Sequence, residues 1–200
     1  MMRYGMKLLR DERGFAASEF ALWLPVMILI LFGCFEATRY ILIHQKLDRA
    51  ATQVADLVGQ AEALTNGQLD DIYNAAVEQM APYDLDGEGK IIITSVLGNV
   101  TGTSNTITWQ RTHGSGGGSS EIGTAGGVAV LPDNFFLTAS ENTIAAEVMY
   151  NYEPVFFGAL SGMKNLNGDP LFGNMFQATT FRHDAWARPR SATLVTVPAS

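Results

Sequence analysis

Few residues in this sequence have the types and spacing that catalysis or metal binding requires. The three histidines, His44, His113 and His183, are widely separated, and no two of them lie at the spacing of a metal-binding pair. We interpret them as surface or hydrogen-bonded structural histidines. The sequence also lacks a nucleophile elbow, a phosphate-binding glycine loop and a zinc-binding HExxH motif. We therefore predict that the protein is not an enzyme and needs no metal or cofactor.

An acidic segment at residues 84–90 carries part of a calcium-loop pattern. Asp84, Asp86 and Glu88 stand at its first, third and fifth positions, and a glycine stands at the sixth. The twelfth position is Ser95 instead of the bidentate glutamate that such a loop uses. We therefore favour a tight acidic turn that leads into a strand.

The single cysteine, Cys34, lies within an apolar run, so no disulfide within the chain is possible. Residues 31–34 (LFGC) look like a lipoprotein processing box, but phenylalanine is a poor residue before the glycine. A plain thiol buried in the membrane is the better interpretation.

Glu19 is an ionisable residue inside an apolar stretch. Residues 20–35 carry no charge, and residues 15–18 extend the stretch on the other side of Glu19. At about 1.5 Å per residue, a helix of this length crosses a hydrocarbon core of roughly 30 Å. A carboxylate inside a span costs about 2.5–3.5 kcal/mol, so it usually has a partner or a function. The alternative is that Glu19 reaches the headgroup region of an ordinary anchor.

The distribution of charge predicts the orientation of this anchor. Residues 1–14 hold four basic and two acidic residues, a net charge of +2, and the overall charge of −7 leaves −9 for the remainder. By the positive-inside rule, the N-terminus is cytoplasmic and the chain after Glu36 is exported. The acidic remainder has no basic stripe, which argues against nucleic acid as a partner.

Residues 36–64 predict a continuation of the helix beyond the membrane. Small and aliphatic residues recur at three- and four-residue spacing, which predicts one apolar stripe. We favour packing of this stripe on the protein's own domain, although other subunits can use part of it. Glu36 and Arg39 are predicted to form a helix-surface pair of about 0.2–0.5 kcal/mol. The stripe consists of Leu47, Ala50, Ala51, Val54, Leu57, Val58, Ala61 and Leu64.

The rest of the chain has an α+β pattern. Asn66 and Gly67 are predicted to break the first helix, and residues 68–80 predict a second one that ends before Pro82. β-Branched and aromatic runs at residues 90–97, 106–111, 143–157 and 177–187 predict an antiparallel sheet. Residues 114–127 include seven glycines and predict a flexible loop, whereas residues 158–173 predict a partly packed one.

The residues RGFAASEFA at positions 13–21, followed by Leu24-Pro25 and an aliphatic run, resemble the TadE-like pseudopilins of Tad/Flp tight-adherence pili. Residues 142–154 and 188–190 resemble the same family more loosely. The resemblance implies a pilin-like fold and a leader that a prepilin peptidase cuts after Gly14, with Phe15 as the new N-terminus. Glu19 then stands at the fifth mature position, where the resemblance implies a role in assembly. Many such pilins have tyrosine after this glutamate, whereas this chain has Phe20.

Four segments follow: a cytoplasmic basic leader (1–14), a transmembrane helix (15–35), an amphipathic extension (36–64) and an exported α+β domain (65–200). The resemblance implies a minor pilin or pseudopilin of the bacterial inner membrane. Its implied partners are other pilins, the pilus assembly platform and the prepilin peptidase. The alternative is an anchored binding or adhesive module that does not polymerise. A tethered enzyme is the third interpretation, and the missing catalytic site makes it the weakest.

Overall fold

The computed structural model describes residues 12–99, 105–132, 137–156, 158, 162–169, 177–190 and 195–197, with the side chains of residues 12–16 left out. Its elements confirm the predicted α+β class, a long N-terminal helix followed by a second helix and a four-stranded sheet. The helices are α1 (Glu12–Gln60), α2 (Asn66–Met80) and α3 (Leu85–Glu88). The strands are β1 (Gly89–Leu97), β2 (Thr106–His113), β3 (Asn142–Tyr152) and β4 (Thr179–Ala187).

The sheet has the order β2-β1-β3-β4, and every neighbouring pair is antiparallel. The second half of α1 lies across one face of the sheet against β3 and β4, and α2 packs beside α1. Alternate residues of β3, from Ile144 to Tyr152, point toward α1 and are buried there. The long helix is therefore an integral part of the domain core.

The predicted apolar stripe of α1 forms its side of this core. Leu47, Ala50, Ala51, Val54 and Val58 are all fully buried. Leu57 departs from the prediction, because 37% of its surface is exposed on the flank of the helix. Spacing by three and four residues admits both Leu57 and Val58, and the position of the sheet decides which of them is covered.

The connection between α1 and α2 differs from the predicted one. α1 ends at Gln60, and Asn66 and Gly67 form the first turn of α2 instead of a break. Thr65 caps this turn, because its hydroxyl accepts from the Gln68 amide while the Gln68 side chain accepts from the Thr65 amide. The helix break therefore lies at residues 61–65.

The glycine-rich segment at residues 114–127, predicted to be a flexible loop, is fixed to the sheet at two buried points, Gly116 and Ile122. The Gly116 amide donates to the Gly89 carbonyl at 2.7 Å, and a Cβ at Gly116 would lie 2.6 Å from that oxygen. Farther along, Ile122 is buried against Val96 and Ile107 on the sheet face opposite α1. Glycine here permits close approach of two backbones, so its abundance does not indicate mobility.

Candidate membrane anchor and its junction with the domain

The first half of α1 is an apolar helix that the domain leaves uncovered. The segment Ala17–Gln60 is long and apolar enough to cross a membrane, with a mean hydropathy of 2.1 in its most apolar window. Burying this surface in lipid would be strongly favourable, since each square ångström of apolar area contributes about 25 cal/mol. The helix fits a single-pass membrane anchor. Its exposed large side chains are Phe20, Leu22, Trp23, Leu24, Val26, Met27, Ile28, Leu29, Ile30, Leu31 and Phe35.

Glu19 lies on the exposed surface near the start of this apolar half. No hydrogen bond or ion pair joins it to another residue in the described part of the chain. The carboxylate is therefore available to a group outside the protein's own domain.

Gly14 and Phe15 both lie within the helical backbone of α1. A peptidase that binds its substrate in an extended form would have to unwind this first turn. Glycine lowers the cost of unwinding, because it is about 1 kcal/mol less favourable than alanine inside a helix. Cleavage between these two residues remains a prediction.

Glu36 marks the point at which α1 meets the domain, and its environment differs from the predicted surface pair. The side chain is buried, and its carboxylate accepts a short hydrogen bond from the Tyr152 hydroxyl. It also accepts from the Val155 and Phe156 amides at 3.0 and 3.1 Å. Three donors from the end of β3 and the following turn therefore converge on one carboxylate of α1.

Arg39 completes this junction, which joins α1 to the chain after β3. Its guanidinium lies 3.6 Å from the Glu36 carboxylate and donates to the Glu153 carbonyl at 2.8 Å. It also lies over the Tyr152 ring, 5.4 Å from the centroid. The predicted pair therefore exists as part of a tertiary cluster. Strand β3 was predicted to continue to Phe157, but it ends at Tyr152 because the next residues turn toward Glu36.

The environment of Tyr152 keeps it a hydrogen-bond donor. Burial raises the pKa of its hydroxyl, and the hydrogen bond to the Glu36 carboxylate and the charge of that carboxylate raise the pKa further. The phenol therefore stays protonated at physiological pH and can donate to Glu36 throughout.

Two of the histidines that are distant in sequence meet in the fold. His44 Nδ1 of α1 and His183 Nε2 of β4 lie 2.8 Å apart, and Asp48 lies 3.8 Å from the other nitrogen of His183. Burial lowers the pKa of His44, and the positive charge of His183 lowers it further. This contact confirms the interpretation of His44 and His183 as hydrogen-bonded structural histidines. Although the two are widely separated in the sequence, the fold brings them together.

No group of three His, Cys, Asp or Glu side chains in the described regions has the geometry to hold a metal ion. The acidic segment instead forms the short helix α3, which Asp84 caps by accepting from the Gly87 amide at 2.9 Å. This confirms the predicted acidic turn before β1.

The remaining two candidates from the sequence lie apart from each other. Cys34 is exposed on the apolar half of α1. His113 pairs with Asp86 at 3.1 Å.

A buried ion pair that was not anticipated lies on the other face of the sheet. Glu147 of β3 is completely buried and forms an ion pair with Arg182 of β4, which also pairs with Glu121 at 2.8 Å. The Glu121 amide donates to the Glu147 carboxylate as well, at 3.1 Å. This cluster fastens the glycine-rich segment to the sheet. An acidic residue in the middle of an apolar strand was the available sequence signal.

Comparison with known families bears directly on the anchor and the junction. Residues 14–56 match the family model of TadE-like proteins. This match confirms the resemblance that begins at residues 13–21 and supports a pilin-like protein associated with a Tad pilus. TadE-like proteins are a structural, pilin-like family, not one known for catalysis. The matched segment includes Gly14, Glu19, Glu36 and Arg39 and stops within α1. Neither a curated protein nor a solved structure matches the chain.

Proposed function

We propose that this protein is a minor pilin, or pseudopilin, which acts as a noncatalytic assembly subunit of a Tad-type pilus. The match of residues 14–56 to TadE-like proteins carries the proposal. The uncovered apolar half of α1 supports it, because such a helix can exchange contact with lipid for contact with equivalent helices of other subunits.

In this proposal the protein resides in the bacterial inner membrane with residues 1–14 in the cytoplasm. The four basic residues of that leader oppose its translocation. Residues 65–200 are then exported, and α1 connects the two sides of the membrane. The partners are other pilins, the assembly platform and the prepilin peptidase.

The proposed processing step cuts the chain between Gly14 and Phe15 and leaves an α-amine at the first residue of the helix. A positive charge at a helix N-terminus is unfavourable, because the helix dipole already places a partial positive charge there. A carboxylate near this amine offsets the repulsion. Glu19 of a neighbouring subunit would supply it, and the attraction strengthens as both charges enter a filament core of low dielectric constant.

The test combines mass measurement with two variants made in the native host. Wild-type protein should have the mass of a chain that begins at Phe15, and Gly14→Val should leave the uncut chain in the membrane. Gly33→Val is the matched control for the second result, since a Cβ at Gly33 meets no atom within 4 Å. This control should be processed normally.

Glu19→Ala should insert, accumulate and be cut at least in part, because removal of the carboxylate relieves the cost of insertion. Assembly of the pilus should nevertheless fail. Leu22→Ala, a change on the same exposed apolar helix, should assemble normally. An uncut wild-type chain together with normal pili in Glu19→Ala would contradict the pairing and favour the anchored binding module.

A further inference from the structure

The turn that follows β3 lies beside the membrane end of the anchor. The Phe156 ring stacks on Phe32, with 4.3 Å between the centroids and 14° between the planes. It also meets the Phe35 ring edge-on at 5.2 Å. Phe32 and Phe35 belong to the last turn of the uncharged run. The Phe156 ring is therefore at the height at which α1 leaves the bilayer.

Glu36 holds this turn in one conformation. Its Oε2 atom accepts hydrogen bonds from the consecutive amides of Val155 and Phe156. A buried carboxylate that binds two successive amides fixes the backbone between them. The directions of both side chains are thereby set relative to α1.

Both side chains expose apolar surface next to the anchor. Val155 is 59% exposed and Phe156 is 39% exposed. A single exposed apolar residue needs no explanation, but the Phe156 ring contacts the exposed Phe35 ring, and exposed Leu31 lies one helical turn before Phe35 on α1. A continuous apolar surface of this kind marks an interaction site, and aromatic rings at this height are typical of the bilayer interface.

We propose that residues 155–156, here called the 155–156 tip, form a second membrane contact that inserts into lipid beside the anchor on the exported side. Lipid is the occupant because the tip is continuous with the surface of the span and is at its depth. The net negative charge of the chain after residue 14 argues against attraction to anionic headgroups as the driving force. Contact at two points fixes the tilt of the domain on the membrane. The inference rests on the proposed insertion of α1 and does not depend on pilus assembly.

The experiment places an environment-sensitive fluorophore on single cysteines of the full chain, with Cys34→Ser as the background. The labelled variants are Leu29→Cys in the span, Val155→Cys at the tip and Val128→Cys as the matched control. Val128 is also apolar, and 66% of its surface is exposed. It pairs with Thr106 at the end of the sheet that is far from Tyr152. Each variant is placed as one copy per lipid nanodisc, with and without lipids that carry a quencher.

We expect quenching at Leu29→Cys and at Val155→Cys to be several-fold stronger than at Val128→Cys, and added salt should leave it unchanged. Quenching at Leu29→Cys alone would overturn the tip contact while leaving the anchor intact. A label at Val155→Cys that is shielded from water and yet not quenched by the lipid-borne quencher would indicate contact with protein and would also overturn the tip contact. Failure to quench Leu29→Cys would refute the anchor itself.

Discussion

Glu36 is a buried carboxylate that receives hydrogen bonds from Tyr152, Val155 and Phe156. We expect Glu36→Ala to lower the free energy of unfolding of the full chain by about 2–4 kcal/mol. Each buried hydrogen bond to a charged group contributes about 1.5–3 kcal/mol, and relief of the desolvation of Glu36 offsets part of the loss. Denaturant unfolding in detergent measures the change. Glu62→Ala, at an exposed carboxylate after α1, should stay within about 0.5 kcal/mol of wild type.

The histidine pair between α1 and β4 predicts that stability falls in acid. The folded-state pKa of His44 lies below its unfolded value, because burial and then the charge of His183 disfavour its protonated form. The stability that neutral His44 contributes is present above the unfolded pKa and is lost as the pH falls through the folded one. Protonation of both rings would also set two cations in direct contact, with the Asp48 carboxylate 3.8 Å from His183.

Melting temperatures between pH 8 and pH 5 test this prediction. Wild type should lose more stability over this range than His44→Gln, which has no proton to gain at that position. Equal losses in the two proteins would show that other groups cause the acid sensitivity.

The first half of helix α1 is the candidate membrane anchor, and its second half packs on the sheet. Within the second half, some residues are buried against the domain and others face outward. Val54 is fully buried against the sheet, whereas Leu57 is partly exposed one turn further along. Val54→Asp should cost about 3 kcal/mol or more, because it buries an unpaired charge, and Leu57→Asp should cost about 1 kcal/mol or less. Thermal unfolding compares the two variants directly.

Co-purification of pilus components adds a second measurement on the same variants. Leu57→Asp that folds normally but loses its partners would identify the outer flank of α1 as a subunit contact. Equal stability of Val54→Asp and wild type would instead contradict the packing of α1 on the sheet.

Along the whole chain, a basic N-terminal segment is followed by an apolar helix and an acidic remainder, and this order predicts the orientation of the protein in the membrane. A reporter that is active only outside the cytoplasm should be active when it is fused after Ser200. A fluorescent reporter that matures only in the cytoplasm should stay dark at the same position. Replacement of the four basic residues of the leader with glutamine should weaken this asymmetry and give mixed orientations. Activity of the cytoplasmic reporter in the wild-type fusion would contradict the topology.

The sequence alone determined the long apolar helix, the α+β class, the second helix and the four strands. These features depend on local signals: the length of an apolar run, a spacing of three and four residues, and runs of β-branched residues. The resemblance at residues 13–21 was visible for the same reason, since its residues are adjacent in the chain. Gly14, Phe15 and Glu19 remain predictions of that local pattern.

Only the tertiary structure decided which residues meet. Glu36 and Tyr152 are 116 residues apart, and His44 and His183 are 139 apart, so no local pattern could reveal either contact. The packing of α1 on β3 and β4 brings them together, and the register of β3 against β4 places Glu147 diagonally across from Arg182. The packing of the glycine-rich segment and the exposure of Leu57 follow from this arrangement as well. Local patterns show which side chains favour burial, but a contact requires two surfaces, and the sheet supplies the second one.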